Sequence, residues 1–137
     1  MILGLNPLLL VAGFLEKISG RAPQVVLEYQ KRLGDRIREL TCSPVIDDAR
    51  LLQEVAIMAE RSDITEEIVR FRSHIDQFTD LLRIGDGAGR KIDFLIQEMG
   101  REVNTIGSKS SDAEISRNVI GIKSELAKLR EQVQNIE

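Results

Sequence analysis

The sequence predicts an all-α fold of antiparallel helical hairpins, built into a bundle from long coiled-coil-like helices. Three observations lead there. Ile64, Ile68, Phe71, Ile75, Phe78 and Leu82 step by fours and threes, as do Ile115, Val119, Ile122, Leu126, Leu129, Val133 and Ile136. Both are a/d seams that need a helical partner along their length. Ile92, Leu95, Met99, Val103 and Ile106 form a third stripe. Finally, the chain is poor in what sheets require: ten glycines, three prolines, one Tyr, four Phe and no Trp among 137 residues. Disorder is excluded as well, since 42% hydrophobic content with a net charge of −3 leaves ample surface to bury. The length is that of one domain.

Taken in order, residues 1–23 read as a poorly defined N-terminal segment and 24–137 as the helical domain. The apolar start, Met1 to Leu15, lacks a basic flank, contains Asn6-Pro7 and is too short to span a bilayer. No membrane partner is therefore expected, and the location reads as cytoplasmic. Five helices follow, at roughly 24–40, 47–61, 63–84, 89–106 and 112–136. The first two carry weaker stripes: Val26, Tyr29, Leu33, Ile37 and Leu40, then Leu51, Val55 and Met58. Between them the lone Cys42 excludes an internal disulfide, fits a reducing compartment and reads as an inert thiol. A break at Arg61-Ser62 and a continuous helix from 47 to 84 both suit the pattern. Asp63-x-x-Glu66 and Ser111-x-x-Glu114 have the spacing of capping boxes, and Gly85-Asp86-Gly87-Ala88-Gly89 reads as a turn rather than a phosphate cradle.

That short turn makes helices 63–84 and 89–106 antiparallel neighbours, with His74 level with about residue 100, between Glu98 and Glu102. At ~100° per residue, Glu67, Arg70 and His74 share one flank of their helix, and Lys91, Glu98 and Glu102 the same-sense flank of theirs. Glu67, His74, Glu98 and Glu102 are thus expected to converge along one edge of the hairpin, with Arg70 and Lys91 beside them. Carboxylates plus an imidazole suit a hard-to-borderline divalent ion such as Mn²⁺ or Mg²⁺. The imidazole could equally serve as general acid or base. The bland reading of such residues is a solvated salt-bridge flank beside an apolar seam. His-Glu-x-x-His, Cys-x-x-Cys, Walker A and dinucleotide glycine motifs are absent. A pI near 5.3 argues against a broad nucleic-acid footprint, and so few aromatics leave little for base stacking.

Longer runs add a resemblance. Gln53-Glu54-Val55-Ala56, Asp63-Ile64-Thr65-Glu66-Glu67-Ile68-Val69-Arg70 and Ser73-His74-Ile75-Asp76-Gln77-Phe78 occur in order. Gly89-Arg90-Lys91-Ile92-Asp93-Phe94-Leu95-Ile96-Gln97-Glu98-Met99, Arg101-Glu102-Val103-Asn104-Thr105-Ile106-Gly107-Ser108-Lys109 and Arg130-Glu131-Gln132-Val133-Gln134-Asn135-Ile136-Glu137 follow. The chain resembles the C-terminal region of the YicC/YloC family of bacterial proteins over about residues 24–137, most densely from 50 onward. Gly100 departs from it, standing where the family has a larger polar residue. The resemblance implies a divalent-metal-dependent endoribonuclease, with Mn²⁺ favoured over Mg²⁺, RNA as substrate and a homo-oligomeric assembly. It also implies an N-terminal domain outside these residues, with a separately encoded N-terminal half as a further candidate partner.

Combining both readings, the expected site has Glu67, Glu98, Glu102 and His74 on the metal, with His74, Glu98 and Glu102 in the chemistry. Arg70, Arg90, Lys91, Arg101 and Lys109 are expected on RNA phosphates. The alternatives are a helical oligomerisation module and an RNA-binding adaptor, neither with chemistry of its own.

Overall fold

The computed structural model describes residues 5–41, 47–84 and 89–136, apart from the side chains of Leu5 and Ile136. Five α-helices account for nearly all of them: α1 (Leu5–Thr41), α2 (Asp48–Arg61), α3 (Thr65–Ile84), α4 (Gly89–Lys109) and α5 (Ala113–Ile136). The all-α expectation holds. Cys42 and the glycine-rich turn at 85–88 lie outside the described residues.

Neighbouring helices close into a ring. α1 packs on α5, α5 on α4, α4 on α3 and α3 back on α1, while α2 lies on α1. Contacts between sequence-distant residues make α1–α5 and α3–α4 antiparallel, and the short link between α4 and α5 turns the chain back on itself. Arg21 meets Asp112 and Phe14 meets Gly121; Arg72 reaches Glu16; His74 meets Glu102 and Lys109 meets Glu67. The result is an up-down-up-down four-helix bundle. Its interior is filled by Val11, Leu15, Ile18, Phe71, Phe78, Met99, Val103, Ile106, Ile115, Ile122 and Leu129, all less than 2% exposed.

Residues 5–23 are not a poorly defined segment. They form the first half of the 37-residue α1, and Leu8, Val11, Leu15 and Ile18 belong to the core. The helix continues through Pro23, which cannot donate to the Ser19 carbonyl. An interior proline costs ~3 kcal/mol, whereas each of those four side chains gains ~1.5–3 kcal/mol on burial, so packing against α5 outweighs it.

At ~1.5 Å per residue α1 is about 55 Å long, and its second half runs past the bundle. There α2 turns back along it. Among the described residues of this arm Val55 is the one buried hydrophobic side chain, and it lies outside the core cluster, while Leu27, Leu40, Leu52 and Ile57 are exposed. The chain does break after Arg61. Ser62 closes α2, its backbone N–H and its Oγ both donating to the Met58 carbonyl. Asp63 then accepts from the Thr65 N–H at the start of α3. Glu66 does not complete the predicted capping box; it pairs with Arg70 instead. At α5 the cap is shifted by one residue. Asp112, not Ser111, accepts from the Ile115 N–H, at 3.1 Å.

Candidate functional site

The α3–α4 edge carries a line of charged side chains at the margin of the core. Glu67 and Glu102 are buried, 3% and 5% exposed. Their positions follow from local periodicity. Glu67 directly precedes the core residue Ile68, and Glu102 directly precedes Val103, so both acids flank the apolar stripe of their own helix. Antiparallel packing then sets the two flanks against each other.

Along the edge, Lys109 Nζ donates to Glu67 Oε1 at 2.8 Å and to the Asp63 carbonyl at 3.2 Å. Arg70 lies 3.8 Å from Glu67 and 4.0 Å from Glu102, and also pairs with the exposed Glu66 at 3.6 Å. His74 Nδ1 stands 2.9 Å from one Glu102 oxygen and 3.0 Å from the other. Glu98 stays at the rim, paired with Arg101 at 3.2 Å.

The two buried acids are tuned in opposite directions. Burial pushes the Glu102 carboxyl up, and the neighbouring negative charge of Glu98 adds to this; the His74 hydrogen bond and the Arg70 charge pull down without cancelling it. Burial acts the same way on Glu67. There the Lys109 hydrogen bond and the charges of Lys109 and Arg70 prevail, and the carboxyl is held below its ordinary range.

The predicted convergence is therefore realised in part. His74 and Glu102 touch, and Arg70 lies beside them. Glu67 sits seven residues, about 10.5 Å, from His74 along α3 and is occupied by Lys109. Lys91 is not part of this cluster; it lines a recess with Gln77, Asp80 and Phe94. Arg90 is exposed at the start of α4. Of the five residues expected on phosphates, Arg70, Arg101 and Lys109 are engaged with carboxylates. The pairing of Lys109 with Glu67 was legible in principle, since the register that sets His74 by Glu102 sets Lys109 by Glu67. Arg21 is a further charged group outside the predicted set. It donates to both Asp112 oxygens, at 3.1 and 2.9 Å, and ties α1 to the start of α5.

As a metal centre the edge is incomplete. Carboxylates and an imidazole are suitable donors, and Glu67 Oε2 is buried with no hydrogen-bond partner. Yet among the described residues no three His, Cys, Asp or Glu side chains form a group able to hold an ion. What the arrangement does supply is a fixed imidazole. When ionised, the Glu102 carboxylate only accepts, which places the ring proton of a neutral His74 on Nδ1, and among the described residues no hydrogen bond occupies Nε2.

Residues 18–137 match a family model described as "Endoribonuclease YicC-like, C-terminal". The chain is 56% identical over 129 residues to "Probable endoribonuclease YicC" of Clostridioides difficile (strain 630), covering 93% of this chain and 44% of that protein. It is 35% identical over 122 residues to the protein of the same name from Haemophilus influenzae (strain ATCC 51907 / DSM 11121 / KW20 / Rd), covering 89% of this chain and 42% of that one. The chain thus spans less than half the length of these curated relatives.

Proposed function

The chain belongs to the YicC-like endoribonuclease family, matching its C-terminal region, and on that premise we propose that it contributes the proton-transfer site of an RNA phosphodiester cleavage. The observation supporting this is the His74–Glu102 pair, its carboxylate buried and its imidazole partly so. His74 Nε2 takes the proton from the attacking hydroxyl, whether the ribose 2′-OH or a water. Glu102 holds the ring in the competent tautomer and stabilises the imidazolium that forms. Glu98, on the rim, adds negative charge beside the Glu102 carboxylate. Exposed Arg90 and Lys91 are the cations we assign to substrate phosphates, joined by Arg70, Arg101 and Lys109 once RNA competes for their carboxylates. With few aromatics available, recognition is phosphate-centred and weakly sequence-specific.

A divalent ion, Mn²⁺ ahead of Mg²⁺, belongs to the proposal as cofactor; when bound it would supply Lewis-acid stabilisation of the scissile phosphate. Glu67, Glu98, Glu102 and His74 are the donors proposed for it. Because the edge does not group three of them among the described residues, the proton-transfer role does not depend on it. A homo-oligomer, an N-terminal half lying outside these residues and a cytoplasmic location complete the proposal. Among the described residues no helix is long and apolar enough to cross a membrane.

The test is cleavage of labelled RNA with Mn²⁺, Mg²⁺ or chelator by the wild type, His74→Ala, Glu102→Gln and Glu98→Ala. Metal-dependent cleavage lost in His74→Ala supports the reading, and product termini separate 2′-hydroxyl attack from water attack. Cleavage undiminished in all three variants sinks the site. A second reading, an assembly module without chemistry, draws on the exposed Leu27, Leu40, Leu52 and Ile57 of the α1–α2 arm. Intact oligomers without cleavage would favour it, and RNA binding without cleavage would favour an adaptor.

A further inference from the structure

Past His74 the α3–α4 hairpin continues into a recess that the proton-transfer role does not use. Of the four phenylalanines, Phe71 and Phe78 are buried and Phe14 is half-buried where α1 meets α5. Phe94 alone among them is left 58% exposed, on α4. With Gln77, Asp80 and Leu81 of α3 and Lys91 and Leu95 of α4 it lines a recess of about 410 Å³, a volume that suits a small planar group. Gln77 and Leu81 stand about 4.5 and 10.5 Å beyond His74 along α3, and Phe94 lies one turn from Glu98 along α4. One strand can therefore lie across both the recess and the His74–Glu102 pair.

We infer that this recess takes one unpaired base of the RNA strand, stacked on Phe94, and so seats a nucleotide next to the one whose phosphate is cleaved. The inference rests on the nuclease reading above. Lys91 makes no ion pair or hydrogen bond among the described residues, which leaves its charge available for the phosphate of the seated nucleotide. Asp80 carries the opposite charge and keeps phosphate out of the recess itself, while a neutral base is not repelled. Gln77 donates its amide N–H to Ser73 Oγ at 3.2 Å, so what it offers the base edge is its carbonyl oxygen. An aromatic face beside a cation is the pairing by which single strands are gripped through base and backbone together. Every base has a π-face, so the stack adds one base contact to a phosphate-centred grip and leaves it tolerant of sequence.

The experiment is anisotropy binding of short 2′-O-methyl RNA strands by the whole chain in chelator, with each nucleotide in turn made abasic. For wild type, removing the base at one position should weaken binding about tenfold, the usual worth of one stack. Phe94→Leu should weaken the intact strand by the same factor and become indifferent to that abasic site, while Phe94→Trp should bind like wild type. Lys91→Gln should weaken intact and abasic strands equally. Circular dichroism checks that each variant is folded. Intact-strand affinity unchanged in Phe94→Leu overturns the inference, as does a wild type indifferent to every abasic site or unable to bind any strand. A change of oligomeric state in Phe94→Leu without a change in RNA affinity also overturns it and makes the recess a protein contact. Cleavage of ordinary RNA keeps the two readings apart. Cleavage lost in His74→Ala, with binding indifferent to Phe94→Leu, rejects the base subsite alone. Phe94-dependent binding, with cleavage undiminished in His74→Ala, rejects the proton-transfer role and leaves the base subsite standing.

Discussion

His74 and Glu102, 28 residues apart in sequence, meet with the imidazole Nδ1 at 2.9–3.0 Å from both oxygens of a carboxylate that is 5% exposed. This contact joins α3 to α4, and among the described residues no hydrogen bond occupies Nε2. Glu102→Gln keeps its shape and removes the buried charge. Cleavage should fall at least tenfold, and His74→Ala should lower it by 10²–10⁴, the usual worth of a general acid–base group.

The same substitution has a pH signature. Glu102 is raised in the folded state, so protonating it favours folding; its contribution is full in acid and is lost as pH rises through the folded value. The melting temperature of Glu102→Gln should therefore gain on wild type as pH climbs from ~4 to 8, the range spanning a free glutamate and neutrality. A gain that shrinks over this range would contradict the direction assigned to Glu102.

Glu67 behaves in the opposite sense. Burial raises its carboxyl, but the Lys109 hydrogen bond and nearby positive charges leave it lowered. Its stabilisation is present above the ordinary glutamate range of ~4.3 and disappears as pH falls through the folded value. Lys109→Met strands a buried carboxylate, and with Lys109 partly exposed the cost should be about 2 kcal/mol at pH 7. Denaturant melts at pH 7 and pH 3 should show that deficit at the first and little at the second.

Asp112 serves two helices. It caps α5 through the Ile115 N–H and receives both Arg21 hydrogen bonds from α1. Asp112→Ala should lose ~1 kcal/mol from the cap alone, while Asp112→Asn keeps an acceptor for the cap and forfeits the charge. Equal destabilisation by both substitutions would show that the ion pair, and not the cap, dominates.

Two helical glycines should respond with opposite signs. A Cβ at Gly100 meets nothing within 4 Å, so Gly100→Ala should stabilise α4 by ~1 kcal/mol through helix propensity. At Gly121 a Cβ would come within 2.8 Å of the Phe14 ring, where α5 meets α1. Overpacking of ~1–3 kcal/mol there outweighs the propensity gain, and Gly121→Ala should lower the melting temperature.

Much of the bundle was legible because its seams obey a short-range rule. The stripes of α3, α4 and α5 fall on buried residues from Ile64 to Leu129, with Ile75 and Leu82 partly buried, since 3.6 residues per turn relates neighbours in sequence directly to one helix face. Leu8, Val11, Leu15 and Ile18 obey the same rule, although the expected first helix begins only at residue 24. In α5 the cap moved from Ser111 to Asp112 because both side chains can accept at a helix start, and Arg21 holds Asp112 in place.

The sequence alone determined the all-α class, the apolar stripes of α3, α4 and α5 and the edge on which Glu67, His74 and Glu102 lie. Tertiary structure alone decided how those charges are shared. His74 takes Glu102, Lys109 takes Glu67, Arg70 bridges both acids and Glu98 stays with Arg101. The physical reason is range. Periodicity fixes a face within one helix, but pairing and charge tuning depend on ångström-scale register and burial between helices, where a one-turn shift of ~5.4 Å exchanges a proton-transfer partner for a structural ion pair.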